Sequence, residues 1–183
     1  MARNRRLAAV AAATTALVLL AAGTGSARQA RSHAAKGGVD PHALLRSHEL
    51  WATINVCSPS DRLNTVGIRG SMPGDGQPRD RMYMTFRLQY LNTTSKAWAD
   101  LAKAKSPSWV PVGAGSSARQ GGFSFTLKPM AGKPPVMLRG VVDFQWRRGK
   151  TVRQSAARVT TGAHKSVAGA DPAGYSAATC TIG

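Results

Sequence analysis

Strict alternation of apolar and polar side chains marks two long segments of the chain as β-strands. In residues 81–91, large apolar side chains occupy every second position: Met82, Met84, Phe86, Leu88 and Tyr90. Residues 137–146 repeat the pattern, and one face collects Leu138, Gly140, Val142, Phe144 and Trp146. A period of two residues is typical of a strand with one face in a core and the other in water.

Shorter segments between turn signals have the same character. Further strands are predicted at 50–57, 64–70, 123–127, 151–161 and 176–182. Pro and Gly residues predict loops at 72–79 and 162–174, a hairpin turn is expected at 147–150, short edge strands within 96–112, and a helical turn within 41–49. In the first strand, Ala52, Ile54 and Val56 alternate with Trp51, Thr53, Asn55 and Cys57, which predicts a half-buried strand.

Seven or eight short strands without a long helix predict an all-β fold. We expect an immunoglobulin-like antiparallel β-sandwich, with Phe144 and Trp146 in an aromatic core. A small closed β-barrel is the alternative architecture.

The first residues have the layout of a secretory signal. Three arginines precede an apolar stretch at 7–22, and Gly25 and Ala27 are the small residues that signal peptidase requires, so we expect cleavage after Ala27. The alternative is an uncleaved membrane-anchoring helix, for which the stretch is short. The predicted organisation is a signal peptide at 1–27, a flexible basic leader at 28–48 and a sandwich domain at 49–183, secreted by the general or the twin-arginine route.

Positive charge dominates what remains after cleavage. Removing the three signal arginines from 25 basic residues leaves 22, against 8 acidic residues. This excess favours anionic partners, such as a cell-wall polymer. Because the basic residues are scattered and form no run with interleaved aromatics, nucleic acid is not favoured. Arginine usage in a GC-rich genome is the simpler explanation of the charge. No second apolar run is long enough for a membrane span after cleavage.

The chain has two cysteines, Cys57 and Cys180, each in a predicted strand near one end of the domain. In an exported protein they are expected to form a disulfide that pins the terminal strands together. A redox-active or metal-binding pair would have closer spacing.

Four segments resemble uncharacterised secreted proteins of GC-rich actinobacteria. The resemblance is carried by 50–57, 67–74, 138–148 and 176–180, and it covers about residues 50–182. It implies a secreted single-domain protein and no assigned activity, so it supplies no functional residues.

Metal and catalytic chemistry have weak support. Copper would suit the imidazoles and thioethers of His33, His42, His48, Met72, Met82 and Met84, although these form no close cluster in the sequence. Calcium would need Asp61, Asp75 and Asp80 in an ordered loop motif that is not present. A serine hydrolase would need partners such as His164 and Asp171, but the chain has no Gly-x-Ser-x-Gly elbow. The sequence therefore predicts neither an enzyme nor a bound cofactor.

Carbohydrate or cell-wall binding has better support. Trp98 and Trp109 lie in a polar, lysine-rich segment, where exposed rings could stack on sugars while lysines meet acidic groups. The alternative is that both rings cap the edges of the sandwich. Adhesion to another surface protein through an exposed strand is also open. We expect a noncatalytic binding or envelope-associated module of unknown oligomeric state, with an extracytoplasmic copper carrier as the alternative.

Overall fold

The computed structural model describes residues 39–128 and 132–183, which form one short helix and nine strands. The predicted signal peptide, its cleavage site and the leader up to residue 38, with His33, lie outside the described residues. In chain order the elements are α1 (Pro41–Leu45), β1 (Trp51–Cys57), β2 (Thr65–Met72), β3 (Gln77–Asn92), β4 (Ala97–Lys105), β5 (Val110–Gly115), β6 (Arg119–Thr126), β7 (Val136–Arg148), β8 (Thr151–Val159) and β9 (Thr179–Ile182).

The strands form two antiparallel sheets that pack together. One sheet has the order β1-β2-β6, and the other has β4-β3-β7-β8. β5 pairs with the edge of β3 that also carries β4, and β9 pairs with the edge of β7 that also carries β8. Two antiparallel sheets packed face to face form a β-sandwich. The predicted sandwich is confirmed, and the sheets do not close into a barrel.

The core lies between the sheets and is built from the two alternating segments. Met82, Met84, Phe86 and Leu88 on β3 are fully buried. On β7, Leu138, Val142, Phe144 and Trp146 complete the same layer. The indole Nε1 of Trp146 donates a hydrogen bond to the Pro73 carbonyl oxygen at 3.0 Å. The buried ring therefore keeps a partner for its polar atom, as a tryptophan in a core requires.

The two sheets lie close together at Gly140 of β7. A Cβ atom on Gly140 would lie 2.7 Å from Ile68 Cδ1 on β2 and 2.7 Å from Thr160 Cγ2. Contacts this short do not occur between real side chains, so a residue larger than glycine would force Ile68 and Thr160 to shift at this point.

β1 differs from its prediction, because both of its faces are buried. Thr53 is 0% exposed and Asn55 is 4% exposed, although alternation places them away from the core. Residues 160–178, here called the covering segment, lie along this strand. Ile54 and Ala177 exchange two backbone hydrogen bonds, and Asn55 Nδ2 donates to the Gly169 carbonyl oxygen at 2.7 Å. The covering segment thus pairs a sheet edge that would otherwise be open.

The predicted disulfide is confirmed. Cys57 ends β1 in the three-stranded sheet, Cys180 lies in β9 of the six-stranded sheet, and the two sulfurs are bonded across 123 residues of sequence. The bond therefore joins the two sheets as well as the first and last strands.

Two local boundaries differ from the predictions. β3 begins at Gln77, so the predicted loop at 72–79 is shortened to 73–76. The predicted helical turn is α1, and its Leu44 is 3% exposed against the core. Because the Val39 amide donates to the Asp75 carbonyl oxygen at 3.1 Å, the chain is packed on the domain from its first described residue onward.

Candidate functional site

The outer face of the six-stranded sheet carries an ordered set of polar and aromatic side chains. Register places Tyr83 beside Gln145, Thr85 beside Asp143 and Gln89 beside Arg139 across β3 and β7. These positions alternate with the core residues, so their side chains point away from the core. We call the following residues the arginine–aromatic face: Tyr83, Thr85, Arg87, Gln89, Trp98, Asp100, Lys105, Trp109, Arg139, Asp143, Gln145 and Arg147.

Arginine side chains stack on the aromatic rings of this face. The guanidinium carbon of Arg147 lies 4.4 Å from the ring centroid of Tyr83 and 4.7 Å from that of Trp109. Arg139 makes the same contact with Trp98 at 4.4 Å. Distances below about 6 Å are favourable cation–π contacts. Both tryptophans that the sequence singles out are therefore half-buried, each against an arginine.

A hydrogen-bonded chain of side chains crosses three strands of the face. Arg139 Nε donates to Gln89 Oε1 at 2.8 Å, and Gln89 Nε2 donates to Asp100 Oδ1 at 2.8 Å. Arg87 bridges the two carboxylates of Asp100 and Asp143, with Nε 3.4 Å from Asp100 Oδ1. Each long side chain is thus held by a neighbour before any ligand arrives, which lowers the entropic cost of binding.

A depression of about 470 Å³ lies beside the Trp109 ring. Thr85, Asp143 and Gln145 line it from the sheet, and Lys105 lines it from β4. Phe144 of β7 and three residues with small side chains on β8, Ser155, Ala156 and Ala157, complete the lining. The depression therefore offers a carboxylate, an amide and an ammonium group next to one aromatic ring.

The chemistry of this face suits a ligand with both apolar ring surface and negative charge. The arginine–aromatic face has a positive net charge, because it carries four cations, Arg87, Lys105, Arg139 and Arg147, and two carboxylates, Asp100 and Asp143. Aromatic rings can stack on the apolar faces of sugar rings, and arginines bind carboxylates with two parallel hydrogen bonds. We find no paired acid and base here that would support a hydrolytic role.

The sequence reasoning found the two tryptophans and missed the residues that organise them. Tyr83, Arg139 and Arg147 come from β3 and β7, and they reach Trp98 and Trp109 only through cross-strand register. The signal that could have found them is the polar half of each alternating segment. Taken strand by strand, that half predicts only which face of the sheet is in water.

The residues considered for copper lie in different environments. The thioethers of Met72, Met82 and Met84 are all 0% exposed within the core. His42 and His48 are exposed near α1. Within 39–128 and 132–183, no three His, Cys, Asp or Glu side chains are arranged to hold a metal ion.

The aspartates that a calcium site would need also lie in different environments. Asp61 pairs with Arg62, whereas Asp75 and Asp80 are buried side by side near the start of β3. Arg148 pairs with Asp80. Burial and the neighbouring Asp80 raise the pKa of the Asp75 carboxyl group, although the Gln77 amide that donates to it at 2.9 Å opposes the shift.

The candidate hydrolase residues also have separate partners. His164 Nε2 bonds the Thr161 hydroxyl at 2.7 Å, and Asp171 pairs with Arg62. The Ser176 hydroxyl accepts the His164 backbone amide and bonds the Thr53 hydroxyl. The His164 side chain therefore bonds Thr161 and is not paired with Ser176 as a base.

None of the described helices is long and apolar enough to cross a membrane. The chain matches no protein-family model, and no curated protein is significantly similar to it.

Proposed function

We propose that this protein is a secreted, noncatalytic binding module that holds an acidic polysaccharide of the cell envelope on its arginine–aromatic face. One observation carries the proposal. The Arg147 guanidinium contacts the Tyr83 and Trp109 rings, and Trp109 lines the depression, so aromatic surface and fixed positive charge meet at one place.

The physical argument combines two contributions to binding. Sugar rings that carry carboxylates would stack on Trp109 while their charges meet Arg147 and Lys105. Rings give binding energy that salt does not screen, whereas the charge contribution is screened at high ionic strength. The acidic polymer also matches the excess of basic over acidic residues in the chain.

The proposal is tested by measuring binding of the exported protein to an oligomer of uronic acids, by calorimetry at low salt and at 1 M NaCl. Trp109→Ala should weaken binding at least about tenfold at both salt concentrations, as expected for a central aromatic contact. Arg147→Gln should weaken binding most at low salt.

Matched controls come from elsewhere on the domain. Trp51→Ala changes a tryptophan on β1 in the other sheet, and Arg153→Gln removes an exposed arginine from β8 outside the face. Both should bind like the wild type after circular dichroism confirms their fold. Equal affinity of W109A and wild type, or equal losses in R147Q and R153Q, would overturn the proposal, because general charge would then explain the binding.

A further inference from the structure

Arg69 is a cation on the opposite side of the sandwich from the arginine–aromatic face. It lies on β2, between Thr53 of β1 and Gly122 of β6 in the register of the three-stranded sheet. Its neighbours along the strand, Ile68 and Gly70, are buried, whereas Arg69 itself is partly exposed. Its side chain therefore lies on the outer face of this sheet, below the covering segment.

The charge of Arg69 is not balanced by any acidic residue of the chain. All eight acidic residues lie within the described ranges, and five of them pair with three other arginines, Arg62, Arg87 and Arg148. None of the described residues forms an ion pair or a hydrogen bond with the Arg69 side chain, and its Nε atom is buried without a partner. Partial burial lowers the pKa of this guanidinium, as expected for a cation that is partly removed from water without an acidic partner.

Two glycines leave room for the guanidinium group. A Cβ atom on Gly122 would lie 2.9 Å from Arg69 Cζ, and a Cβ atom on Gly169 would lie 2.7 Å from Nη2. Gly169 has a φ of 65°, a conformation that favours glycine. The group is therefore held against backbone from β6 and from the covering segment, where other residues would displace it.

We infer that Arg69 is the centre of an oxyanion-binding site on the three-stranded sheet, with phosphate as the preferred group. An arginine binds phosphate with two parallel N–H to oxygen hydrogen bonds, and a positioned guanidinium loses little freedom when it does so. A bound anion would also compensate the positive charge of a guanidinium that has no acidic partner. This site is independent of the proposed polysaccharide face, because it lies on the other sheet.

The site is tested with inorganic phosphate on the exported protein. The Arg69 Nε–Hε resonance is followed by NMR while phosphate replaces chloride at constant ionic strength. We expect a saturable shift of this resonance with one phosphate bound per chain. The site would be overturned if the resonance does not move, or if it moves without saturating, in the same way as the signals of other arginines. This measurement needs no substitution.

Variants then separate a specific site from general charge. Arg69→Gln should lower the phosphate affinity at least about tenfold, in line with losing hydrogen bonds to a charged group. R69K should also lose affinity, since it keeps the charge without the planar fork. The control R153Q removes an equal charge from an exposed position and should bind within about twofold of wild type; equal losses in R69Q and R153Q would contradict the inference.

Two further probes identify the source of the phosphate group. Poly(glycerol phosphate) tests a phosphate carried by a cell-envelope polymer, and polygalacturonate tests whether a carboxylate is sufficient. A saturable shift of the Arg69 resonance with inorganic phosphate or with poly(glycerol phosphate) supports the site. Competition by polygalacturonate alone would overturn the phosphate preference. A failure of the polysaccharide proposal would be seen separately, because that proposal is tested by the affinity of W109A and R147Q for the oligomer of uronic acids.

Discussion

The side chain of His164 shows how the covering segment changes the chemistry of a single residue. Its imidazole stacks on Trp51 with ring centroids 4.5 Å apart and an angle of 15° between the planes. Burial lowers the pKa of His164 from its ordinary value of 6.5. The folded protein therefore keeps this imidazole neutral at pH values where the unfolded chain binds a proton.

This difference predicts a loss of stability in mild acid. Above pH 6.5 the imidazole is neutral in both states, and the unfolding free energy keeps its full value. As the pH falls from 6.5 through the lower folded pKa, the unfolded chain binds an additional proton, and the unfolding free energy decreases. His164→Gln should reduce the decrease in unfolding free energy between pH 7 and pH 5, measured by urea denaturation. H48Q changes an exposed imidazole and serves as the control. An unchanged pH dependence in H164Q would contradict the interpretation.

At the scale of elements, the sequence predicts what depends on neighbouring residues along the chain. The core faces of β3 and β7 follow from period two, and the structure buries them as expected. The outer face of β1 could not be predicted in this way. Thr53 and Asn55 are buried by residues 168–177, more than 110 positions away, and no local pattern reports such a contact.

The candidate site depends on non-local register in the same manner. Trp98 and Trp109 stand out in the sequence because they are aromatic residues in a polar segment. Their arginine partners are set by the pairing of β3 with β4, β5 and β7. A shift of one residue in any pairing would turn those side chains to the other face, so the site follows from the topology.

The contact between the sheets at Gly140 gives a prediction for one element. Gly140→Ala should lower the unfolding free energy by about 1–3 kcal/mol, because the added methyl group overlaps Ile68 and Thr160. Urea denaturation measures the change. Gly162→Ala is the matched control, since its nearest atom would lie 3.4 Å from the new Cβ, and it should stay close to wild type. Equal effects of the two substitutions would show that the sheets adjust freely at β7.

At the scale of the whole molecule, the disulfide is the one covalent cross-link among the described residues, and it joins the two sheets. Closing a loop of 123 residues restricts the unfolded chain by roughly 4–5 kcal/mol in the chain-entropy model. Replacing Cys57 and Cys180 together by serine should lower the unfolding free energy by up to that amount. Denaturation of the wild type with and without reductant provides the second measurement. A double variant as stable as the oxidised protein would show that packing alone holds the terminal strands.

The same bond has a consequence for resistance to proteolysis. Residues 57–180 form a covalent ring, and all nine strands lie in this ring or directly beside it. A protease that cuts one loop opens the ring but releases no fragment, because both halves remain attached through the sulfurs. The strands on either side of the cut stay at high local concentration and can pair again. A nicked molecule can therefore keep both of its outer faces in place.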